Sequence, residues 1–469
     1  MYTPSSSYQS SIFGDGWLYK IILENTRDNP LLKLKPIVDR VLKKTDKRLK
    51  TYYSPYEGRP SFPCGILFKM LLLEYLYKLS DVAVSKICVH DLLFRWFIGV
   101  DVTDPIPDDT TLVKFRKRLK DEGFREIFNE LVREAKRFGY GKGKLRIVDA
   151  THVFSDTPKL GLIRLIKQGM RKVIEKVEKR SKELALKLAV KYKDSFKRVK
   201  KGKEKVEEVK KRALELVKEL KGRVDGGVDG LLIKLERVAK GNPDKLVSFT
   251  DPDARWGRKS KNFAFGGYKI HIGCEPNGFV TSVETMPGNT NEGVRLRELL
   301  EGERRRKLKI KELYADGLYD NAVNREYLKK RKITPYIPSS IPTCQADGFK
   351  LEGDRVRCRG GKYSIGKIRQ GGGDLYYFSV KDCRGCKWRG RCISPGEIRK
   401  KVYFSDCWRL RKEIKKEKYK LRLAVERVIG QAKKWRELGR ARYRGLWKVE
   451  VQALMTFMVG NLKIMTQGP

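Results

Sequence analysis

The chain has 469 residues, room for about three domains at roughly 150 residues each. Its 105 Lys and Arg against 57 Asp and Glu give a net charge of +48. With 40% hydrophobic and 10% aromatic residues it is too apolar for a disordered basic tail, so the charge sits on folded domains and points to a polyanionic partner. A membrane span and an exported, disulfide-stapled fold are not expected. The most apolar stretch, 66–77, is short and carries Lys69 and Glu74, no basic region followed by an apolar run opens the chain, and most of the nine cysteines are isolated. A reducing cytoplasm is the expected compartment.

From about 30 to 140, apolar residues recur at helical spacing, as in Ile66, Leu67, Met70, Leu71 and Tyr75, and predict a helical domain. Ser80 and Asp81 read as a cap. Pro107, Asp108, Asp109 and Thr110 open a further helix through Leu112, Phe115, Leu119, Phe124, Ile127 and Leu131, so that acid pair reads as a cap and not as metal ligands. At Leu145, Ile147 and Val148 the pattern becomes a short strand ending at Asp149. Residues 161–220 hold 21 Lys or Arg against 9 acids and predict long basic helices in an antiparallel pair. The turn falls near Lys200 to Lys203, and Gly226, Gly227 and Gly230 loosen the exit. Strands follow at 263–274 and 279–285, joined through Pro276, Asn277 and Gly278, where Asn-Gly supplies the positive φ angles of a tight hairpin. Asn289, Thr290 and Asn291 cap a helix through Leu300, and Leu313, Tyr314 and Ala315 form a strand ending at a second acid, Asp316. A helix at 321–331, a strand at 334–337, a Gly-rich and Cys-rich stretch at about 339–400 and a basic helical segment from Ser405 complete the chain.

A central sheet sets acids from neighbouring strand ends side by side, and a helix packed across them adds a third, an arrangement suited to two divalent ions in a phosphodiester reaction. Glu426 is the candidate. At about 100° per residue, Tyr419, Arg422, Glu426 and Lys433 fall at roughly 0°, 300°, 340° and 320°, one narrow face. Ala424, Val425, Val428, Ile429 and Trp435 fall between roughly 140° and 280° and would pack on the sheet. A solvated helix face laced with ion pairs is the bland reading of the same pattern.

The spacing Tyr419, two residues, Arg422, three residues, Glu426, six residues, Lys433 resembles the Tyr-Arg-Glu-Lys signature of DDE transposases from prokaryotic insertion sequences. Asp149-Ala150-Thr151 is similar to the first acid motif of that family, and Asp316-Gly317-Leu318-Tyr319-Asp320 to its second. The stretch from Tyr56-Glu57-Gly58-Arg59-Pro60 through Asp104 to Asp108 and Phe115-Arg116 resembles the helical N-terminal domain of many members. Asp251-Pro252-Asp253-Ala254-Arg255 and Gly267-Tyr268-Lys269 extend the likeness over most of residues 50–460.

The resemblance implies an α/β fold with a ribonuclease H-like catalytic core, a mixed sheet with flanking helices. It implies a helical, DNA-binding region at 1–140 and a core in three parts, 141–159, 247–338 and 405–469. A basic helical insertion at 160–246 and a Cys-rich insertion at 339–404 interrupt that core. Asp149, Asp316 and Glu426 would bind two Mg2+ or Mn2+ ions, while Tyr419, Arg422 and Lys433 would contact phosphates near the transposon end. The implied partners are double-stranded DNA, as terminal inverted repeats and as target, with a homodimer in the DNA complex and a nucleoid-associated, cytoplasmic location. The implied activity is metal-dependent cleavage at transposon ends followed by strand transfer. A ribonuclease H-like nuclease, a domesticated recombination protein and a binding-only derivative are the alternatives; the three intact acids argue against the last.

Cys383, two residues, Cys386, five residues, Cys392 offers three thiolates in a basic, glycine-flanked loop, with Cys358 as fourth ligand and Cys344 as its substitute. Structural Zn2+ is the first reading, an iron–sulfur cluster the second and unligated thiols the third. The insertion has few apolar side chains for a core of its own, which a metal would offset. Cys64, Cys88, Cys274 and Cys407 read as packing residues. His152 follows the first acid closely enough to reach a metal, although a hydrogen-bonded strand-end histidine is the commoner outcome, and His271 and His90 have weaker cases. No Gly-rich phosphate loop of the nucleotide-hydrolase type occurs, so ATP use is not indicated.

Overall fold

A computed structural model describes residues 2–3, 16–54, 56, 58, 60–196, 206–224, 226–260, 262–338, 348–370, 373–405 and 419–467. Its first region is helical, with Pro30–Leu49, Cys64–Tyr77, Asp81–His90, Leu92–Ile98 and Asp109–Glu134. Cys64–Tyr77 is apolar on every side and is buried along nearly its whole length. Its two charges are paired: Lys69 Nζ lies 2.6 Å from Asp39, and Glu74 meets Arg116 at 3.5 Å and Arg442 at 3.0 Å. Both expected caps form, Ser80 accepting from Ala83 N at 3.2 Å and Asp108 from Thr111 N at 2.7 Å. The Asp109–Glu134 helix breaks at Lys120, with φ 47° and ψ −158°. The break falls within the step from Leu119 to Phe124, which is one residue too long for a continuous apolar face.

Among the described residues the main sheet has seven strands: β1 (Leu145–Phe154), β2 (Leu246–Ser248), β3 (Asp251–Ser260), β4 (Phe263–Cys274), β5 (Val280–Pro287), β6 (Glu312–Tyr314) and β7 (Thr334–Tyr336). The path runs β2-β3-β4-β1-β6-β7, with β5 also paired to β4. β1, β6 and β7 are parallel, while β4 is antiparallel to β1, β3 and β5. β1 does not end at Asp149. Pairing with β4 carries it on to Phe154, so Asp149, opposite Ile272, stands inside the strand. The β4–β5 hairpin forms, but not through two residues of positive φ. Gly278 N donates to Glu275 O at 2.9 Å, so Pro276 and Asn277 occupy the centre of the turn and only Gly278, at φ 88°, is left-handed. Proline at the first central position selects this longer turn.

The segment between β1 and β2 is not one long antiparallel pair. Four shorter helices, Leu162–Glu178, Lys182–Lys191, Val206–Leu220 and Gly226–Ala239, surround a separate apolar cluster that includes Met170, Val173, Leu216 and Leu235. The expected turn at Lys200 to Lys203 lies outside the described residues. Gly226, Gly227 and Gly230 lie within a helix instead of loosening an exit, because Val228, Leu232, Leu235 and Val238 are buried at helical spacing and outweigh the glycine penalty.

The Cys-rich segment has an apolar core after all. Strands Gly366–Gln370, Gly373–Tyr377 and Lys401–Ser405, with the hairpin Lys350–Glu352 and Arg355–Arg357, enclose Phe349, Val356, Tyr376, Phe378, Val402 and Phe404. Helices Leu423–Arg436 and Leu446–Gln467 follow. The last is not a basic helix: it is buried along most of its length and packs against Asp109–Glu134 and β5. The helical region, the sheet and this helix share one core, in which Leu71, Phe124, Ile270, Val425 and Leu454 belong to a single cluster. Among the described residues, no helix is long and apolar enough to cross a membrane.

Candidate active site

Parallel pairing of β1 with β6 sets Ile147 opposite Tyr314. Two residues beyond each partner stand Asp149 and Asp316, and a step of two along extended chain returns a side chain to the same face. Both acids line one cleft of about 1250 Å³. Asp316 also caps the turn Gly317–Tyr319, accepting from Leu318 N at 2.9 Å, and Asp149 accepts from Ala150 N at 2.8 Å. Burial raises the pKa of both acids. At Asp149 the Arg422 guanidinium opposes the rise and the Asp316 charge adds to it.

The third acid arrives on the Leu423–Arg436 helix, whose buried side is Ala424, Val425, Val428 and Ala432. Glu426 faces the cleft from the other side. Arg422, in the preceding turn, spans the acids: its Nη2 lies 3.3 Å from Asp149 Oδ2 and 3.2 Å from Glu426 Oε1. Its Nη1 donates to the Tyr419 hydroxyl at 3.2 Å. Lys433 lines the same cleft, with its pKa lowered by burial and by Lys259. Trp435 does not pack on the sheet. It is 56% exposed beneath the Lys434 ammonium at 4.8 Å, in the last turn of a helix that stops at Arg436. Ile429 lines the cleft instead of being fully covered.

Contacts elsewhere fix this helix and its exit. Phe154 N donates to Gly439 O at 3.0 Å, and Ala441 N donates to Phe154 O at 2.8 Å. Buried Asp251 accepts from Ser155 Oγ at 2.6 Å, from Gly445 N at 3.0 Å and from the Tyr268 hydroxyl, while Asp253 accepts from Leu446 N at 3.0 Å. The motif at 251–255 therefore anchors the start of the last helix.

One pair in the cleft has no signal in the sequence spacing. Glu292 and Lys269 form an ion pair, and Lys269 also donates to Thr290 O at 3.0 Å. With Lys245, Arg258 and Lys259, six Lys and Arg face four acids in the cleft, so it is net positive even at its carboxylates. His152 is not at a strand end. It lies within β1 among Phe154, Phe263 and Phe265, with ring centroids 5.2 to 6.0 Å away, and burial with Lys433 and Lys259 pushes its pKa down to about 4. His271 is buried with Nε2 3.0 Å from the Tyr319 hydroxyl and a pKa lowered by burial to about 3. His90 ends the Asp81–His90 helix.

Among the described residues, no three His, Cys, Asp or Glu side chains are drawn into a closed metal-ligand group. The donor chemistry of the cleft fits hard divalent ions all the same: three carboxylates face one space, and a guanidinium already bridges two of them as a cation would. Cys358, Cys383, Cys386 and Cys392 line a separate cavity, and Cys64, Cys88 and Cys274 are buried in packing positions. Cys344 and Cys407 lie outside the described residues.

Residues 21–118 match the family described as Transposase domain (DUF772). Residues 228–462, half of the chain, match the family described as Transposase DDE domain, a span that takes in Asp316 and Glu426 but not Asp149. The transposase for insertion sequence element IS1106 of Neisseria meningitidis serogroup B is 36% identical over 83 residues, 18% of this chain. That similarity spans 27% of the relative's length. No solved structure matches. The chain belongs to the transposase DDE domain family.

Proposed function

We propose that this chain is a DNA transposase that cuts phosphodiester bonds at its element's terminal inverted repeats and joins the freed 3′ ends to target DNA. The observation that carries the reading is the register-matched pair Asp149 and Asp316, facing Glu426 across a net positive cleft. These carboxylates would hold two Mg2+ or Mn2+ ions, which when bound activate a water or 3′ hydroxyl and stabilise the leaving oxygen. Lys433 and Tyr419 supply cationic and hydrogen-bonding contacts to backbone phosphates, and Arg422 exchanges its carboxylate partners for phosphate. No covalent protein intermediate is needed.

The strand order β5-β4-β1-β6-β7, three parallel strands with an antiparallel hairpin on one side, supports a ribonuclease H-like core. In this reading the core comprises 141–159, 247–338 and 405–469, with insertions at 160–246 and 339–404 and a DNA-binding helical region at 1–140. A homodimer would hold the two element ends, and the working location would be the nucleoid.

The test is Asp316→Asn on labelled terminal-repeat duplex. Binding should persist within about threefold while metal-dependent nicking falls by at least about a thousandfold. Unchanged nicking would overturn the assignment, and cleavage without joining in the unaltered protein would make it a nuclease.

A further inference from the structure

The proposed reaction makes no use of Cys358, Cys383, Cys386 and Cys392, yet the fold gathers them. Cys358 follows the strand Arg355–Arg357 in a turn closed by Gly361 N donating to Cys358 O at 2.9 Å. Cys383 lies in the helical turn Val380–Arg384, Cys386 just beyond it, and Cys392 ends the turn Arg389–Cys392. All four are half-buried and line one cavity of about 230 Å³. A Cβ at Gly360 would stand 3.6 Å from both Cys358 Sγ and Cys386 Sγ, so two loops far apart in sequence present their sulfurs across one glycine.

Both loops repeat one tripeptide, Cys-Arg-Gly, at 358–360 and 383–385. Lys362, Lys387, Arg389 and Lys400 line the same cavity. A divalent ion on four thiolates carries a net charge of −2, which this basic rim offsets. The local core has six buried apolar side chains for more than fifty residues, with Cys358, Cys383 and Cys392 packed against it, so a cross-link at this point joins the hairpin to the three-stranded sheet.

We propose that Cys358, Cys383, Cys386 and Cys392 bind one zinc ion as a tetrahedral four-thiolate site, and that this ion ties the 348–404 module together. Each thiol releases its proton to solvent as its sulfur closes to about 2.3 Å from the ion. The site is independent of the carboxylate cleft, so its failure would leave the proposed transposition untouched.

The full chain, purified under reducing conditions, should carry about one zinc by elemental analysis. Exchange with Co2+ should give the thiolate-to-cobalt charge-transfer bands of a tetrahedral sulfur site. Cys386→Ser and Cys358→Ser should each lower zinc below about a tenth of an ion per chain, while Cys274→Ser keeps it. Chelation should expose 348–404 to protease before the rest of the chain. The unaltered chain decides the matter even where a serine variant fails to fold. Metal below about a tenth of an ion per chain with no cobalt uptake, or iron with acid-labile sulfide in place of zinc, would overturn the proposal.

Discussion

Asp149 and Asp316 are kept where an ionised carboxylate is costly, since burial raises both pKa values while one guanidinium only partly opposes the rise at Asp149. An acid with a raised pKa holds its proton to higher pH in the folded chain than in the unfolded one. Folding therefore takes up protons above about pH 4, and stability falls as pH climbs through that window. Asp149→Asn should accordingly raise the melting temperature at pH 7, with the gain shrinking toward pH 4, as followed by calorimetry across the pH range. A gain that is constant with pH would mean that ionisation at this position is not the cause. The same reasoning makes divalent-ion binding strengthen as pH rises above the usual carboxylate range, because ligating carboxylates must first lose their protons. Stability given up at the acids is what a site built for cations would show.

Among the elements, the Cys64–Tyr77 helix does more than fill space, because Glu74 joins it to Arg116 of the Asp109–Glu134 helix and to Arg442, beyond the Glu426 helix. Glu74→Ala would leave two buried or half-buried guanidinium groups short of a partner and should cost about 3 kcal/mol in denaturant unfolding. A loss under about 1 kcal/mol would show that Asp81 and Glu437 suffice for those arginines. Much at this scale was legible. The strands at 263–274 and 279–285 followed from strand-forming residues and a turn tripeptide, whereas the break at Lys120 did not, since the spacing from Leu112 to Leu131 reads as one helix. β3 was not legible, because Pro252, Gly257 and five charged residues leave 251–260 without a strand pattern. It pairs because glycine lets two backbones meet, a Cβ at Gly257 falling 2.1 Å from Gly288 O. The apolar character of Leu446–Gln467 was present in the sequence but hidden by the basic count just before it. Spacing gave the common face of Tyr419, Arg422 and Glu426, whereas the Lys269–Glu292 pair exists only because β4 and the loop after β5 fold together.

For the whole molecule, +48 of net charge makes affinity for DNA a function of ionic strength. With six phosphate contacts, affinity for terminal-repeat duplex should fall about a thousandfold between roughly 50 and 200 mM salt. A slope near zero in fluorescence anisotropy titrations would mean that the basic helices at 162–239 and 423–436 are solvated faces only. The same scale decides where the chain tolerates a change of length. The Glu426 helix lies along β1 like a rod clipped at two points, Arg422 on Asp149 and the 439–441 backbone on Phe154. One alanine inserted after Gly430 cannot be taken up by stretching between those clips, and the part of the helix before it must turn by about 100° relative to the part after it. Cleavage of the terminal-repeat duplex should be lost. One alanine after Gly396, whose surroundings are open, should leave cleavage within about twofold of the unaltered protein. Length should therefore be free before the Arg422 clip and fixed to the residue between that clip and Phe154.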